Sequence, residues 1–235
     1  MSTIVTYNRG SQGAPFQTSP PADPSTGSVW FHDFLGSASG FTLAASGFGV
    51  KAEKSGVLYI ATEPTAASTA ISVGEVFSDL ANGESFAFNA RVRATTARAN
   101  LDEISFGIAE DVAASIGSTA THVGFHVTQA AAATDDNIAV KYDDGTSTAF
   151  SQNFTPATTS GIAAYDATGW NDYGFLVRMD GTTYRVDYFV NGVRLGTEHR
   201  ATATFGDELF IAIFSATSKG VWEIDYTMVA GPRSS

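Results

Sequence analysis

The sequence predicts an all-β protein built as a sandwich of two packed antiparallel sheets. Many short segments alternate apolar and polar residues, and glycine, proline or Asn-Gly signals separate them. The composition agrees, because 23 glycines suit turns while 17 phenylalanines, eight tyrosines and three tryptophans suit strands. We find no segment with convincing helical periodicity. At 235 residues, one large sandwich accommodates the folded part of the chain.

The clearest local pattern lies between residues 170 and 193. Tyr173, Phe175 and Val177 mark every second residue, as on a strand with one buried face. An Asp-Gly pair at 180–181 and an Asn-Gly pair at 191–192 then supply two tight-turn signals. This stretch therefore predicts a three-stranded antiparallel meander.

Further strands are expected along the rest of the folded part, which begins near Trp30. The last one, 221–229, is predicted to direct one set of side chains to the core, namely Trp222, Ile224, Tyr226 and Met228. A continuous apolar run at 209–216 indicates a central strand. The other predicted strands are 41–43, 48–51, 57–61, 70–76, 86–94, 104–109, 123–128, 138–142 and 148–150.

Residues 1–28 differ from the rest and are predicted to be an extended N-terminal arm, with residues 29–235 as the sandwich domain. Four of the seven prolines fall in this segment, and proline neither donates to a strand ladder nor fits a central strand. Tyr7 and Phe16 are the candidate anchors if the arm docks on a neighbouring subunit. The alternative is a terminal segment with no binding role.

Charge and cysteine content narrow the possible partners. The net charge is −11, and an acidic surface repels phosphate backbones, so we expect no nucleic-acid binding. The absence of cysteine excludes disulfides and thiolate metal sites. No run approaches the ~18 apolar residues of a membrane span, and the first residues lack a signal-peptide pattern. We therefore expect synthesis in the cytoplasm and no membrane partner.

Four segments carry a family resemblance. They are SFAFNARVR at 85–93 followed by SFGI at 105–108, the meander at 173–196, and VWEIDYTMV at 221–229. Together they resemble the concanavalin A-like lectin/glucanase jelly roll of the LamG type, with the first two as paired strands of one sheet. The resemblance implies a jelly-roll sandwich over about residues 29–231. Proteins of this fold bind sugars, hydrolyse β-glucans or serve as structural modules, so the fold alone does not choose a role.

The glucanase branch of that family carries a Glu-x-Asp strand motif with a second Glu two or three residues later. Alternate carboxylates on a strand face one cleft, where they serve as nucleophile and acid. Here Ser105 stands where a motif starting at Glu103 needs its Asp. A motif starting at Glu223 and Asp225 ends at Met228. We therefore predict that the protein is not an enzyme and has no catalytic residues.

No metal or cofactor is predicted. His122 and His126 would share one strand face about 13 Å apart, which is too far for one ion. The acidic loops at 135–137 and 143–145 lack a calcium-loop pattern. Three aromatic residues, Tyr165, Trp170 and Tyr173, are a candidate platform for a sugar ring. The alternative is that they cap the core.

A proline-rich arm joined to a jelly roll rich in alanine, serine and threonine also resembles tailed-phage capsid decoration (cement) proteins. This resemblance implies a virion structural protein on the capsid surface. Its expected partners are the major capsid protein or neighbouring virion subunits, and it is expected to form a homo-oligomer. The alternative is a carbohydrate-binding module or lectin of the same fold, with a glycan partner. A glucanase ranks third.

Overall fold

The computed structural model describes the strands and several of the segments that join them. The described residues are 27–32, 41–44, 48–51, 57–61, 68–72, 77–78, 86–95, 102–109, 122–130, 136–143, 150–156, 162, 165–167, 169–180, 183–201, 209–216 and 221–232. Within these ranges every regular element is a strand. The same ranges contain no helix with the length and apolar character to cross a bilayer.

In the described part of the chain, sixteen strands form two eight-stranded antiparallel sheets. Sheet A contains β1 (Gly27–His32), β3 (Phe48–Lys51), β4 (Val57–Ala61), β7 (Phe86–Ala94), β12 (Asn171–Asp180), β13 (Thr183–Val190), β14 (Val193–Ala201) and β16 (Val221–Pro232). Sheet B contains β2 (Phe41–Ala44), β5 (Ser68–Ser72), β6 (Phe77–Ser78), β8 (Asp102–Ala109), β9 (His122–Gln129), β10 (Asn137–Asp143), β11 (Phe150–Phe154) and β15 (Leu209–Ala216).

The strand order places the meander at one side of sheet A. Sheet A runs β14-β13-β12-β7-β16-β4-β3, and β1 pairs with the last part of β16. Sheet B runs β11-β10-β9-β8-β15-β5-β2, and β6 pairs with the start of β15. The predicted all-β, two-sheet sandwich is confirmed.

The predicted meander is also confirmed as β12, β13 and β14. Asp180 pairs with Thr183, so two residues connect β12 to β13. Val190 pairs with Val193, and the two residues between them have positive φ angles, 49° at Asn191 and 75° at Gly192. Positive φ at both central positions is the type I′ geometry, whose twist matches that of the paired strands.

Aromatic rings from both sheets interdigitate to form the core. Phe88 and Phe175 of sheet A stack with their centroids 5.0 Å apart. Phe125 of sheet B meets Tyr188 of sheet A edge to face at 5.5 Å. The Tyr188 hydroxyl donates to the Lys141 carbonyl oxygen of sheet B at 2.8 Å, so this hydrogen bond also joins the two layers. Such ring pairs add roughly 0.5–1.5 kcal/mol each beyond their burial.

The prediction for the faces of the last strand is wrong in its second half. A register shift between Ile224 and Tyr226 inserts one extra residue opposite β7, and such a bulge reverses the alternation beyond it. Trp222 and Ile224 face the core as expected, but Thr227 is the buried residue beyond the bulge. Tyr226 and Met228 consequently lie on the outer face of sheet A.

Two other predictions from the sequence differ from the structure. The segments 85–93 and 105–108 were expected to pair in one sheet, but β7 belongs to sheet A and β8 to sheet B. Apolar residues of both strands instead belong to one buried core, among them Phe88 of β7 and Phe106 of β8. The predicted strand 70–76 is found as Ser68–Ser72, with Phe77–Ser78 as a separate short strand. Residues 1–26, with Tyr7 and Phe16, lie outside the described residues, so the arm and the domain division stay predictions.

Candidate functional site

Tyr173 does not belong to a surface platform, so the prediction is wrong for this residue. It lies on β12 in the same alternating set as Phe175 and is 2% exposed. Its ring packs against Phe106 at 5.1 Å and Phe125 at 5.5 Å, both from sheet B. The chain therefore uses Tyr173 as a core residue, and its face is closed to a ligand.

Tyr165 supports the loop before β12. The ring is half-buried against the core, and the hydroxyl donates to Asp136 Oδ2 at 3.2 Å. The other oxygen of this buried carboxylate accepts the Ala130 N–H at 3.0 Å. Through its hydrogen bond to the Asp136 carboxylate, Tyr165 links the loop before β12 to the end of sheet B.

Trp170 is the predicted platform residue that the structure places at the surface. It immediately precedes β12, and its side chain is half-buried. The guanidinium carbon of Arg93 lies 4.4 Å from the indole centroid, and that of Arg91 lies at 5.7 Å. A cation over an indole face is attracted by the negative charge density of the ring. The ring is therefore held against two fixed hydrogen-bond donors of β7.

The buried amide of Asn171 fixes the turn that carries Trp170. Asn171 Oδ1 accepts the Asp166 N–H at 2.8 Å, and Asn171 Nδ2 donates to the Asp166 carbonyl at 2.7 Å. A weaker hydrogen bond joins Nδ2 to the Gly169 carbonyl at 3.4 Å. One side chain thus satisfies backbone groups on both sides of the turn, as buried polar groups require.

The hairpin between β13 and β14 holds the same turn from the other side. Asn191 Nδ2 donates to Asn171 Oδ1 at 2.9 Å, and Asn191 Oδ1 accepts the Asp172 N–H at 2.8 Å. The Asn191 N–H donates to the Asp172 carbonyl at 2.7 Å. The left-handed conformation at Asn191 aims its amide at β12, so the meander itself positions Trp170.

The outer face of sheet A near Trp170 carries two ion pairs and one tyrosine hydroxyl. Arg93 donates from Nε at 2.7 Å and from Nη2 at 2.6 Å to the same Glu223 oxygen. Arg91 contacts Asp225 at 3.5 Å. The Tyr226 hydroxyl donates to Asp172 Oδ1 at 2.9 Å. Burial and the Asp172 carboxylate raise the pKa of Tyr226, so this hydroxyl stays protonated as a donor.

The carboxylates of the incomplete acid motif are therefore engaged in ion pairs. Glu223 is 1% exposed and held by Arg93, and Asp225 lies beside Arg91 across the bulge. Among the described residues, no three Asp, Glu, His or Cys side chains converge.

A partly exposed indole beside fixed donors and acceptors is suited to binding, because apolar area and a few placed polar groups define ligand sites.

The sequence reasoning missed a second polar surface, on the outer face of sheet B. Ser105 Oγ lies 2.8 Å from His126 Nδ1, and Thr128 Oγ1 lies 3.4 Å from His126 Nε2. Lys141 Nζ donates to Ser151 Oγ at 2.7 Å. The signal was present in β9, where Val123, Phe125 and Val127 alternate with polar residues and glycine. The surface also includes side chains of β8, β10 and β11. The pairing that brings these strands beside β9 could not be predicted from the pattern of β9 alone.

Comparisons with known proteins give structural matches without sequence relatives. No family model matches the sequence, and no curated protein matches it. An endo-1,3-β-glucanase from Streptomyces sioyaensis superposes with a TM-score of 0.64 at 13% identity, covering 91% of this chain and 99% of the glucanase. The seed lectin of Lotus tetragonolobus gives a TM-score of 0.56 at 11% identity, covering 88% of this chain and 100% of the lectin.

A third match comes from a bacteriophage. The CBM2 module of the evolved Dit protein of Lactobacillus casei BL23 phage J-1 gives a TM-score of 0.55 at 14% identity. The match covers 89% of this chain and 98% of the module. Identities this low establish the fold alone. The chain is a concanavalin A-like jelly roll whose fold neighbours include lectins, a carbohydrate-binding module and a glucanase.

Proposed function

We propose that this protein is a non-enzymatic carbohydrate-binding sandwich that presents Trp170 to a sugar ring. The observation that carries the proposal is the position of the indole. It is partly exposed, it lies beneath the Arg93 guanidinium, and the turn that carries it is held by the Asn171 and Asn191 amides. A rigid aromatic loses little conformational freedom on binding, which favours affinity.

The neighbouring polar groups supply the specificity of this site. Asp172 and Tyr226 form a fixed donor–acceptor pair, and the arginines at 91 and 93 add charged donors. Sugar hydroxyls both donate and accept, so they match such a mixed set. The fold neighbours named as lectins and as a carbohydrate-binding module agree with this role.

The non-enzymatic part of the proposal rests on Glu223. A carboxylate that is 1% exposed and bound to two nitrogens of Arg93 has no open oxygen for nucleophilic attack on an anomeric carbon. We therefore expect no reducing-sugar release from laminarin. The Glu223→Gln variant should show the same zero rate as wild type. Release that disappears in this variant would instead support the glucanase hypothesis.

The binding test is a glycan array followed by calorimetry on the best ligand. Trp170→Ala should abolish detectable binding, whereas Asn153→Ala, an exposed residue on β11 of the opposite sheet, should bind like wild type. Tyr165→Phe keeps the ring and removes the hydrogen bonds of the hydroxyl, including the one to Asp136, so it controls for damage to the loop. Unchanged affinity in a folded Trp170→Ala variant would exclude this site.

The second candidate is a virion role, in which the protein decorates a capsid. The proline-rich segment at 1–28 supports it, together with the phage J-1 neighbour. In this proposal, the segment contacts the major capsid protein or neighbouring copies through Tyr7 and Phe16, and the protein acts on the capsid surface as a homo-oligomer. Many weak contacts repeated by symmetry give avidity.

Deletion of residues 1–26, which leaves β1 intact, separates the two candidates. The truncated protein should lose occupancy on empty shells and keep its glycan affinity, since Trp170 lies far along the chain from the deletion. Shells decorated equally by both proteins would exclude the proposed role of the segment. Point variants at Tyr7 and Phe16 then test the two anchors individually.

A further inference from the structure

Three arginines converge on one buried carboxylate at the far end of the same face of sheet A. Asp187, which is 2% exposed, contacts Arg178 Nη2 at 2.7 Å, Arg185 Nε at 3.1 Å and Arg194 Nη2 at 2.8 Å. These side chains come from β12, β13 and β14. The meander therefore gathers cations around a single internal anion.

The strand register concentrates positive charge further. Arg178 pairs directly with Arg185, and Arg185 pairs directly with Arg200, so three arginines lie in one row across the meander. Like charges directly opposite one another are destabilising in a sheet. Arg178, Arg185 and Arg194 around Asp187 form what we call the arginine corner, in a chain whose net charge is −11.

Two of the arginines remain accessible. The side chains of Arg178 and Arg194 are 42% and 40% exposed, compared with 18% for Arg185. A guanidinium has five N–H donors in a planar fork, so the contact of Arg178 Nη2 with Asp187 uses only part of the capacity of Arg178. Carboxylate and sulfate groups match that fork with two parallel hydrogen bonds.

Trp170 and Arg178 of the arginine corner lie near the two ends of β12. Asp172, Gly174, Leu176 and Arg178 occupy alternate positions of β12, which places them on the outer face. Six residues separate Asp172 from Arg178, or about 20 Å at the rise of a strand. A linear oligosaccharide can span this distance and touch both ends of the face.

We propose that the outer face of sheet A binds a linear acidic glycan, with one sugar ring at Trp170 and a carboxylate or sulfate at Arg178 and Arg194. This inference rests on the proposed carbohydrate-binding function and specifies the class of ligand. Local positive charge selects the acidic group, because the surrounding surface of an acidic protein repels polyanions that cannot reach the arginines.

The test compares polygalacturonate with its fully methyl-esterified form, which has the same backbone and carries no carboxylate charge. Wild type should bind the acidic form roughly tenfold more tightly at low salt, as a charge-assisted contact provides. The preference should shrink as salt screens the charges. Dextran sulfate compared with dextran shows whether sulfate replaces carboxylate.

Single-residue variants distinguish binding at the arginine corner from a general effect of the charge of the protein. Arg178→Gln should lower affinity for polygalacturonate about tenfold and leave affinity for the ester unchanged. Lys141→Gln removes one positive charge from the opposite sheet and should change neither affinity. Arg178→Lys keeps the charge without the fork and should fall between wild type and Arg178→Gln.

The outcomes separate this inference from the function on which it rests. Equal binding of the acidic and esterified polymers by wild type would overturn the acidic-glycan proposal and leave Trp170 as a neutral sugar site. Equal losses in Arg178→Gln and Lys141→Gln would also overturn it. If Trp170→Ala retains all binding while Arg178→Gln abolishes it, the anion site stands and the proposed platform fails.

Discussion

The side-chain amides of Asn171 and Asn191 are joined by a 2.9 Å hydrogen bond that ties the turn before β12 to the hairpin after β13. The Asn171 amide also accepts the Asp166 N–H of its own loop, and the Asn191 amide accepts the Asp172 N–H of β12. Twenty residues apart in sequence, the two asparagines meet because β12 and β13 pair in register. Trp170 is held in place by this contact.

Replacement of Asn171 by alanine should therefore affect both stability and binding. The variant leaves the Asp166 N–H and carbonyl without their Asn171 partners and removes the hydrogen bond from Asn191, at a cost of about 2–3 kcal/mol. For a chain of this size, the melting temperature should fall by roughly 5–10 °C. Glycan affinity should fall with it, since the turn no longer fixes Trp170. Calorimetry and thermal melts measure the two effects.

Asn171→Asp serves as a partial control. It keeps the acceptor at Oδ1 and removes the donor from Nδ2, so it should retain the contact with the Asp166 N–H and lose the one with the Asp166 carbonyl. Stability between wild type and alanine is expected. If Asn171→Ala melted at the wild-type temperature, the amide would not hold the turn.

Gly107, the glycine of β8, should tolerate replacement poorly. Its φ of +155° is one that other residues rarely adopt, and a Cβ there would collide with the Val123 carbonyl oxygen and lie 2.6 Å from Gly124 Cα. Both neighbours are backbone of the adjacent strand, so neither moves without breaking the pairing of β8 with β9. Gly107→Ala should cost about 3 kcal/mol or more.

Gly192→Ala provides the comparison for that measurement. Its φ of 75° imposes backbone strain, for which the expected cost is about 1–2 kcal/mol. Denaturant unfolding of both variants gives the two values. A Gly107→Ala variant as stable as Gly192→Ala would mean that β8 and β9 separate more easily than their close approach indicates.

Thr227→Val should stabilise the fold. Thr227 lies in the core, and its hydroxyl has no hydrogen-bond partner in the part of the chain that the structure describes. Valine has the same shape and removes the polar atom, which should add about 1 kcal/mol to the free energy of unfolding. A rise of roughly 2–4 °C in melting temperature is expected. Thr227→Ser, which keeps the hydroxyl and loses a methyl, should destabilise instead.

His126 should make stability depend on pH. Burial lowers its pKa below 6.5, Lys141 lowers it further, and Glu103 opposes the shift. The unfolded chain therefore binds the proton more readily than the folded protein does. The contribution of neutral His126 to the free energy of unfolding is fully present above about pH 6.5 and decreases as the pH drops below that value. NMR titration of the imidazole should give a midpoint below that of a free histidine.

The matched variant for this prediction is His126→Gln, which cannot titrate. Its melting temperature should fall less than that of wild type between about pH 7.5 and pH 5.5, because one proton-linked loss is removed. The difference between the two proteins isolates His126 from the carboxylates. Parallel losses in both proteins would assign the acid sensitivity to other groups.

Strand positions and turns were predictable, because alternation and turn chemistry are local. The Asn191-Gly192 turn is an example, since two adjacent residues that tolerate positive φ specify its type. The alternation of Tyr173 with Phe175 and Val177 also contained the evidence that Tyr173 is buried. Its assignment to a surface platform neglected that pattern.

Features that depend on pairing partners were not predictable. The bulge after Ile224 exists only in relation to β7, and it decides that Thr227 is buried while Tyr226 is outside. The carboxylate of Asp187 meets arginines from three strands, a convergence that no spacing in the sequence specifies. The candidate site is likewise built from a loop, a hairpin and β7.

The most direct test of carbohydrate binding through Trp170 is an amide and indole chemical-shift titration with an oligosaccharide identified on the array. Binding at the proposed site predicts the largest changes at the Trp170 indole N–H and at the Nε–H groups of Arg91 and Arg93. Changes confined to Ser105, His126 and Lys141, with Trp170 unmoved, would place the ligand on sheet B and contradict the proposal.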